Sequence, residues 1–77
     1  MNTVAIVEDN NDLRLALEDI IQSSGEYTLA GSCTTGEEAL VKLPLLNPKV
    51  VLMDIGLGDG IDGIEVVREL KETNPNI

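Results

Sequence analysis

The sequence contains no histidine, tryptophan or phenylalanine, and Tyr27 is its sole aromatic residue. Any core must therefore be built from aliphatic side chains. With no histidine and a single cysteine, Cys33, the chain can form neither a usual zinc ligand set nor an intrachain disulfide. A lone cysteine in such a chain is expected as a buried, inert thiol. Basic residues are scarce too: five Lys and Arg stand against fourteen Asp and Glu, a formal charge of −9. Phosphate backbones and anionic lipid repel such a chain, which argues against direct nucleic-acid binding or membrane association by this segment. The first apolar run, Val4 to Val7, lacks a basic start and is stopped at once by Glu8 and Asp9, unlike a signal peptide. Nothing approaches the roughly 20 apolar residues that span a bilayer. These absences favour a cytoplasmic location.

What is present fits one small domain: 77 residues, 43% of them hydrophobic. Val4-Ala5-Ile6-Val7 reads as a strand buried on both faces. Asn10 or Asn11 can cap a helix with an apolar stripe at Leu13, Ala16, Leu17, Ile20 and Ile21, ended by Ser23-Ser24-Gly25. "YTLAGSC" is a weaker strand with Gly31 inside it. Thr35 and Glu38 form a capping box ahead of a helix facing inward through Ala39, Leu40 and Leu43. Pro44 and Pro48 bracket the connection into "KVVLMDI", the clearest strand. Asp62 and Glu65 form a second cap-like pair before a helix with Ile64, Val66, Val67 and Leu70 inward, and Asn74-Pro75 stops it. The order β-α-β-α-β-α implies parallel strands joined by crossover helices on the sheet faces.

Ligands of such sheets sit beyond the carboxyl ends of the strands, where the winding reverses. There the first strand delivers Glu8 and Asp9, and the third delivers Asp54. If those strands are neighbours, three carboxylates meet. Uncompensated, they repel, and one must hold a proton. A hard divalent cation resolves the conflict, and oxygen ligands without nitrogen or sulfur suit Mg²⁺. Asp54 follows four apolar residues and precedes glycines that keep its approach open. A carboxylate so placed beside a metal can act as a nucleophile towards phosphorus, with Glu8 and Asp9 holding the metal.

"AIVEDN" before an amphipathic helix, "TTGEEAL", and "VVLMDIGL" leading to "DGIEVVREL" closely resemble the receiver domain of two-component response regulators. The resemblance spans the chain. It implies an α/β, flavodoxin-like, doubly wound parallel sheet with strand order 2-1-3, residues 1–77 being the first three βα units. It implies that Glu8 and Asp9 match the acidic pair that binds Mg²⁺, that Asp54 matches the aspartate phosphorylated by a sensor histidine kinase, and that Gly56 supplies a backbone carbonyl to the metal. The segment "GEYTLAGSCTTGEEAL" is most similar to regulators with a DNA-binding effector domain beyond the receiver, so the parent protein is expected to be one of these.

Two departures from the family stand out. Gly58 replaces the usual proline four residues after the phosphoacceptor, and Gly63 lies one residue later than the family's glycine, so the intervening loop is longer. The family fold also has five strands and five helices, whereas this chain ends at "NPNI". The hydroxyl residue of strand four and the lysine of strand five have no counterpart. Lys49 begins strand three at the opposite end of the sheet, and Lys42 and Thr73 fall on helices outside the motifs. With Met1 at its start, the chain reads as truncated on its C-terminal side: an expressed fragment, a proteolytic product or a truncated gene product. Strand three then has an unpaired apolar edge, and a dimer or swapped assembly is expected of the ordered fragment.

Competing readings fit less well. Asp54 and Glu65 fall at positions 1 and 12 of an EF-hand template, but Gly56 and Gly58 occupy ligand positions and a strand precedes the loop. An aspartate-nucleophile phosphohydrolase needs an acid two residues after the nucleophile, where Gly56 stands. The alternative of a different class is a structural or interaction fragment that never accepts phosphate.

Overall fold

The computed structural model describes residues 2–54 and 60–77. Six elements alternate: β1 (Asn2–Val7), α1 (Asn11–Ser23), β2 (Tyr27–Cys33), α2 (Gly36–Leu46), β3 (Val50–Met53) and α3 (Gly63–Thr73). The strands are parallel and ordered β2-β1-β3, as the resemblance implies. β1 pairs with β2 from Asn2↔Tyr27 to Val7↔Cys33, with an irregularity that leaves Ala30 unmatched between Leu29 and Gly31. It pairs with β3 from Val4↔Val50 to Val7↔Met53.

Alternation along β1 divides the core in two. Val4 and Ile6 pack with Ile21 and Leu17 of α1 on one face. Ala5 and Val7 pack on the other with Cys33, with Ala39 and Leu43 of α2, and with Val66 and Leu70 of α3. Val4, Ala5, Ile6 and Val7 are all buried, as a continuous apolar run in a central parallel strand requires. Cys33 is free and buried, and burial, followed by the nearby Glu38 carboxylate, raises its thiol above the ordinary range despite the opposing charge of Lys42.

The helix starts follow their local signals. Asn10 caps α1 by accepting from the Leu13 N–H (2.9 Å), Thr35 caps α2 from the Glu38 N–H (3.0 Å), and Asp62 caps α3 from the Glu65 N–H (2.9 Å). After α1, Gly25 turns the chain with a φ of +74°, a conformation other residues adopt at a cost. Lys42, outside the motifs, tethers α2 to β2 by donating to the Ser32 carbonyl at 3.0 Å.

Three sequence expectations need correction. Pro44 lies inside α2, which runs on to Leu46 before Asn47 turns left-handed at φ 48°. Buried Leu43 and core-packed Leu46 hold this last turn against the sheet, offsetting the one backbone bond that proline removes. In α1 only Ile21 is buried and Leu17 half-buried, while Leu13, Ala16 and Ile20 are exposed, Ile20 to 64%. In α3 Val66 and Leu70 face inward, but Ile64 (65%) and Val67 are exposed. The cause is the same in both helices: a three-stranded sheet is narrower than the apolar stripes laid on it, so the outer flank of each stripe overhangs β3.

The two helices on the second face meet where α2 begins. A Cβ built on Gly36 would lie 2.5 Å from the Ile61 carbonyl oxygen and 2.9 Å from Val66 Cγ2. Glycine to alanine in a helix ordinarily stabilises by up to about 1 kcal/mol. Here the nearest obstacle is backbone, which cannot swing aside. Gly36→Ala is therefore expected to destabilise the domain by about 1–3 kcal/mol in urea unfolding, the reverse of its propensity effect.

Candidate functional site

The carboxyl ends of β1 and β3 lie side by side, with Val7 opposite Met53. The chain reverses its winding there, since α1 covers one face of the sheet and α2 and α3 the other. Both strand exits are pinned by backbone bonds: the Glu8 N–H donates to the Cys33 carbonyl (3.0 Å), and the Asp54 N–H to the Val7 carbonyl (2.9 Å). One carboxylate oxygen from each of Glu8, Asp9 and Asp54 consequently lies within 4.8 Å of the other two. Glu8, Asp9 and Asp54 thus converge at one rim.

Their surroundings differ. Glu8 is buried, at 7% exposure, Asp54 is half-buried, and Asp9 faces solvent. Glu8 accepts the Asn10 N–H at 3.1 Å, which is the largest influence on its carboxyl and acts downward. Burial, the adjacent Asp54 carboxyl and Asp9 together outweigh that bond and hold the Glu8 carboxyl above its ordinary value. Arg14, not singled out from sequence, donates to the Glu8 backbone carbonyl at 3.3 Å and lies 3.8 Å from Glu18. It steadies the chain behind the cluster, and only its spacing of six residues from Glu8 hinted at that. A trio of carboxylates so placed, with no nitrogen or sulfur donor in the set, fits a hard divalent cation.

Gly56, the expected carbonyl ligand, lies outside the described residues, as do Gly58 and Asp59. Where the described chain resumes, the Ile61 N–H donates to Glu37 Oε2 at 3.3 Å, so the start of α2 anchors the approach to α3. No local pattern announced Glu37, because its role depends on α2 and α3 being neighbours. Asp62 is a helix cap, as expected. A strand precedes Asp54 where an EF-hand requires a helix, which removes the calcium-loop reading.

The fold and this rim define a signalling receiver. The chain belongs to the response regulator receiver domain family, whose model matches residues 4–77. It is 40% identical over 73 residues to the chemotaxis protein CheY of Thermotoga maritima, covering 95% of this chain and 59% of that protein. It is 32% identical over 72 residues to the transcriptional regulatory protein YdfI of Bacillus subtilis, covering 94% of this chain and 33% of that protein. Among solved structures, the response regulator domain of Thermotoga maritima CheB superposes with a TM-score of 0.92 at 32% identity, covering 99% of this chain and 56% of that one. The chain therefore spans little more than half of the CheY relative and of the CheB domain. Receiver domains are in general non-enzymatic signalling modules that bind Mg²⁺ at an acidic pocket and work with histidine kinases and effector domains. No helix among the described residues is long and apolar enough to cross a membrane.

The raised Glu8 carboxyl has a measurable consequence without divalent cations. The folded state holds a proton on Glu8 at a pH where the unfolded chain has lost it, so folding takes up protons in that window. Glu8 therefore contributes stability that grows as pH falls from neutrality towards its raised titration range. Urea midpoints measured in chelator across that window are expected to rise on mild acidification, and Glu8→Gln to flatten the rise while raising the midpoint at pH 7.

Proposed function

We propose that this chain is the Mg²⁺-dependent phosphoacceptor region of a response regulator, taking a phosphoryl group from a sensor histidine kinase onto Asp54. The observation that carries the reading is the convergence of the Glu8, Asp9 and Asp54 carboxylates at the rim between β1 and β3. Glu8, Asp9 and Asp54 would hold the cation, and the resemblance to the family adds the Gly56 backbone carbonyl. When bound, Mg²⁺ neutralises the carboxylates and the oxygens of the transferring group, which otherwise repel. An Asp54 carboxylate oxygen attacks phosphorus as the bond from phosphorus to the donor imidazole nitrogen breaks. With a proton on its other ring nitrogen, the donor imidazole takes the electron pair of the broken bond and leaves neutral, and an acyl phosphate remains on Asp54. Pinning of the Asp54 backbone to Val7 and the polar contacts of Glu8 position the groups before the donor arrives.

Residues 1–77 are then the first three βα units of a longer receiver, in keeping with the 59% share of the CheY relative that they span. The location is cytoplasmic, where the kinase domain and its phosphodonor reside. A DNA-binding effector domain is the proposed output of the parent protein, supported by likeness to a transcriptional regulatory protein. The second reading is a structural or interaction fragment of a receiver that accepts no phosphate, and the observation behind it is that the matched region is 59% of the CheY relative.

Incubation with a small-molecule phosphodonor and Mg²⁺, followed by intact-mass measurement, separates the two. One phosphoryl adduct is expected, dependent on Mg²⁺ and lost in Asp54→Asn. A chain that stays unmodified, under conditions that label a full-length version, is the inert fragment.

A further inference from the structure

Glu8 is held at three points. Its N–H donates to the Cys33 carbonyl at 3.0 Å, its carboxylate accepts the Asn10 N–H at 3.1 Å, and its own carbonyl accepts from Arg14 Nη1 at 3.3 Å. The third bond reaches further than the other two. The Glu8 carbonyl belongs to the planar peptide unit that continues into Asp9, so restraining it also restrains the start of Asp9. Asp9 faces solvent, where packing restrains a side chain least.

Arg14 is itself held. Its side chain is only 15% exposed, its Nε lies 3.8 Å from Glu18 Oε2, and that same oxygen accepts the Ser32 hydroxyl at 2.7 Å. The planar fork of a guanidinium lets it serve a carbonyl and a carboxylate together. The series Ser32, Glu18, Arg14, Glu8 thus runs from β2 through α1 to the exit of β1. Glu18 offsets the guanidinium charge. Arg14 also meets the rim at a backbone oxygen, which leaves the Glu8 carboxylate to a cation.

We propose that Arg14, held by Glu18 and Ser32, is a positioning residue for the cation at this rim: by fixing the Glu8–Asp9 peptide, it sets the two carboxylates relative to each other before the cation binds. The inference rests on the proposed function in one respect, that Glu8 and Asp9 hold Mg²⁺. A group that orients metal ligands without touching the metal lowers the ordering cost of binding, and losing it typically weakens affinity by about tenfold or more. Charge alone predicts the opposite. A guanidinium near a carboxylate cluster repels a divalent cation, so its removal tightens binding. The sign of the effect therefore separates positioning from simple electrostatics.

Mg²⁺ titrations of the chain and its variants, followed by amide NMR at neutral pH, read that sign. Arg14→Gln is expected to weaken Mg²⁺ binding by about tenfold, although it removes a positive charge. Ser32→Ala changes no charge and touches none of the three carboxylates. It is expected to weaken binding by a smaller factor, and to add nothing in an Arg14→Gln background, because both act through one series. Arg68→Gln, which removes an exposed cation paired with Glu65 on α3, controls for net charge and should not weaken binding. In the metal-free chain, the Glu8 carbonyl carbon resonance is expected to shift in Arg14→Gln and not in Arg68→Gln. Unchanged or tighter binding in Arg14→Gln, unweakened binding in Ser32→Ala, an additive loss in the double variant, or an unmoved Glu8 carbonyl resonance would overturn the proposal. Should Arg14→Gln lose the fold by circular dichroism, Ser32→Ala alone decides. A wild-type chain that binds no Mg²⁺ overturns the proposed function and this inference with it, whereas wild-type binding with an indifferent Arg14→Gln overturns the inference alone.

Discussion

Burial of β1 on both faces is the constraint on which the rest of this structure depends. Val4 and Ile6 must be covered on one side and Ala5 and Val7 on the other, so helices are needed on both faces of the sheet. Each large aliphatic side chain buried there contributes about 1.5–3 kcal/mol, whereas surface ion pairs contribute about 0–1 kcal/mol each. The aliphatic layers therefore set the geometry, and pairs such as Arg14–Glu18 and Lys42–Glu38 follow it. α1 takes one face, and α2 and α3 take the other. The reversal this demands falls between β1 and β3, at the rim where the first strand stops being apolar.

That rim is electrostatically unfavourable by construction. Glu8 is carried into a buried position by the strand it terminates, beside a half-buried Asp54 and within reach of Asp9. The Asn10 N–H offsets part of the cost, and burial with two neighbouring carboxyls exceeds it. Such an arrangement lowers stability when nothing positive is bound, and the same convergence makes the site a trap for a hard cation. The aliphatic core on either side is what holds the carboxylates together against their repulsion.

Three strands cannot cover the apolar stripes of α1 and α3, so Ile20, Leu13, Ile64 and Val67 remain exposed although their spacing reads as core. The periodicity of these helices reports a wider surface than the sheet of this chain provides. The same shortfall leaves β3 with apolar side chains open on both faces. Pro44 is the converse case: a residue that reads locally as a helix stop sits within α2, because Leu43 and Leu46 are anchored in the core.

Much of the molecule was legible because it depends on short-range chemistry. Thr35 and Asp62 cap the helices that their spacing announces, Gly25 takes the left-handed turn after α1, and apolar runs mark β1 and β3. The placement of Glu8, Asp9 and Asp54 at strand ends was also written in the order of residues. Strand order in space was not, except through family resemblance, and it alone makes β1 and β3 neighbours. Glu37 reaching Ile61, Gly36 packing under the Ile61 carbonyl, and Arg14 behind Glu8 all depend on that arrangement. By itself, then, the sequence determined the elements, their caps and the chemistry available at each strand end, because those follow from neighbours along the chain. Only the tertiary structure decided which carboxylates meet and which apolar residues find cover, because both depend on which surfaces the packed sheet brings together.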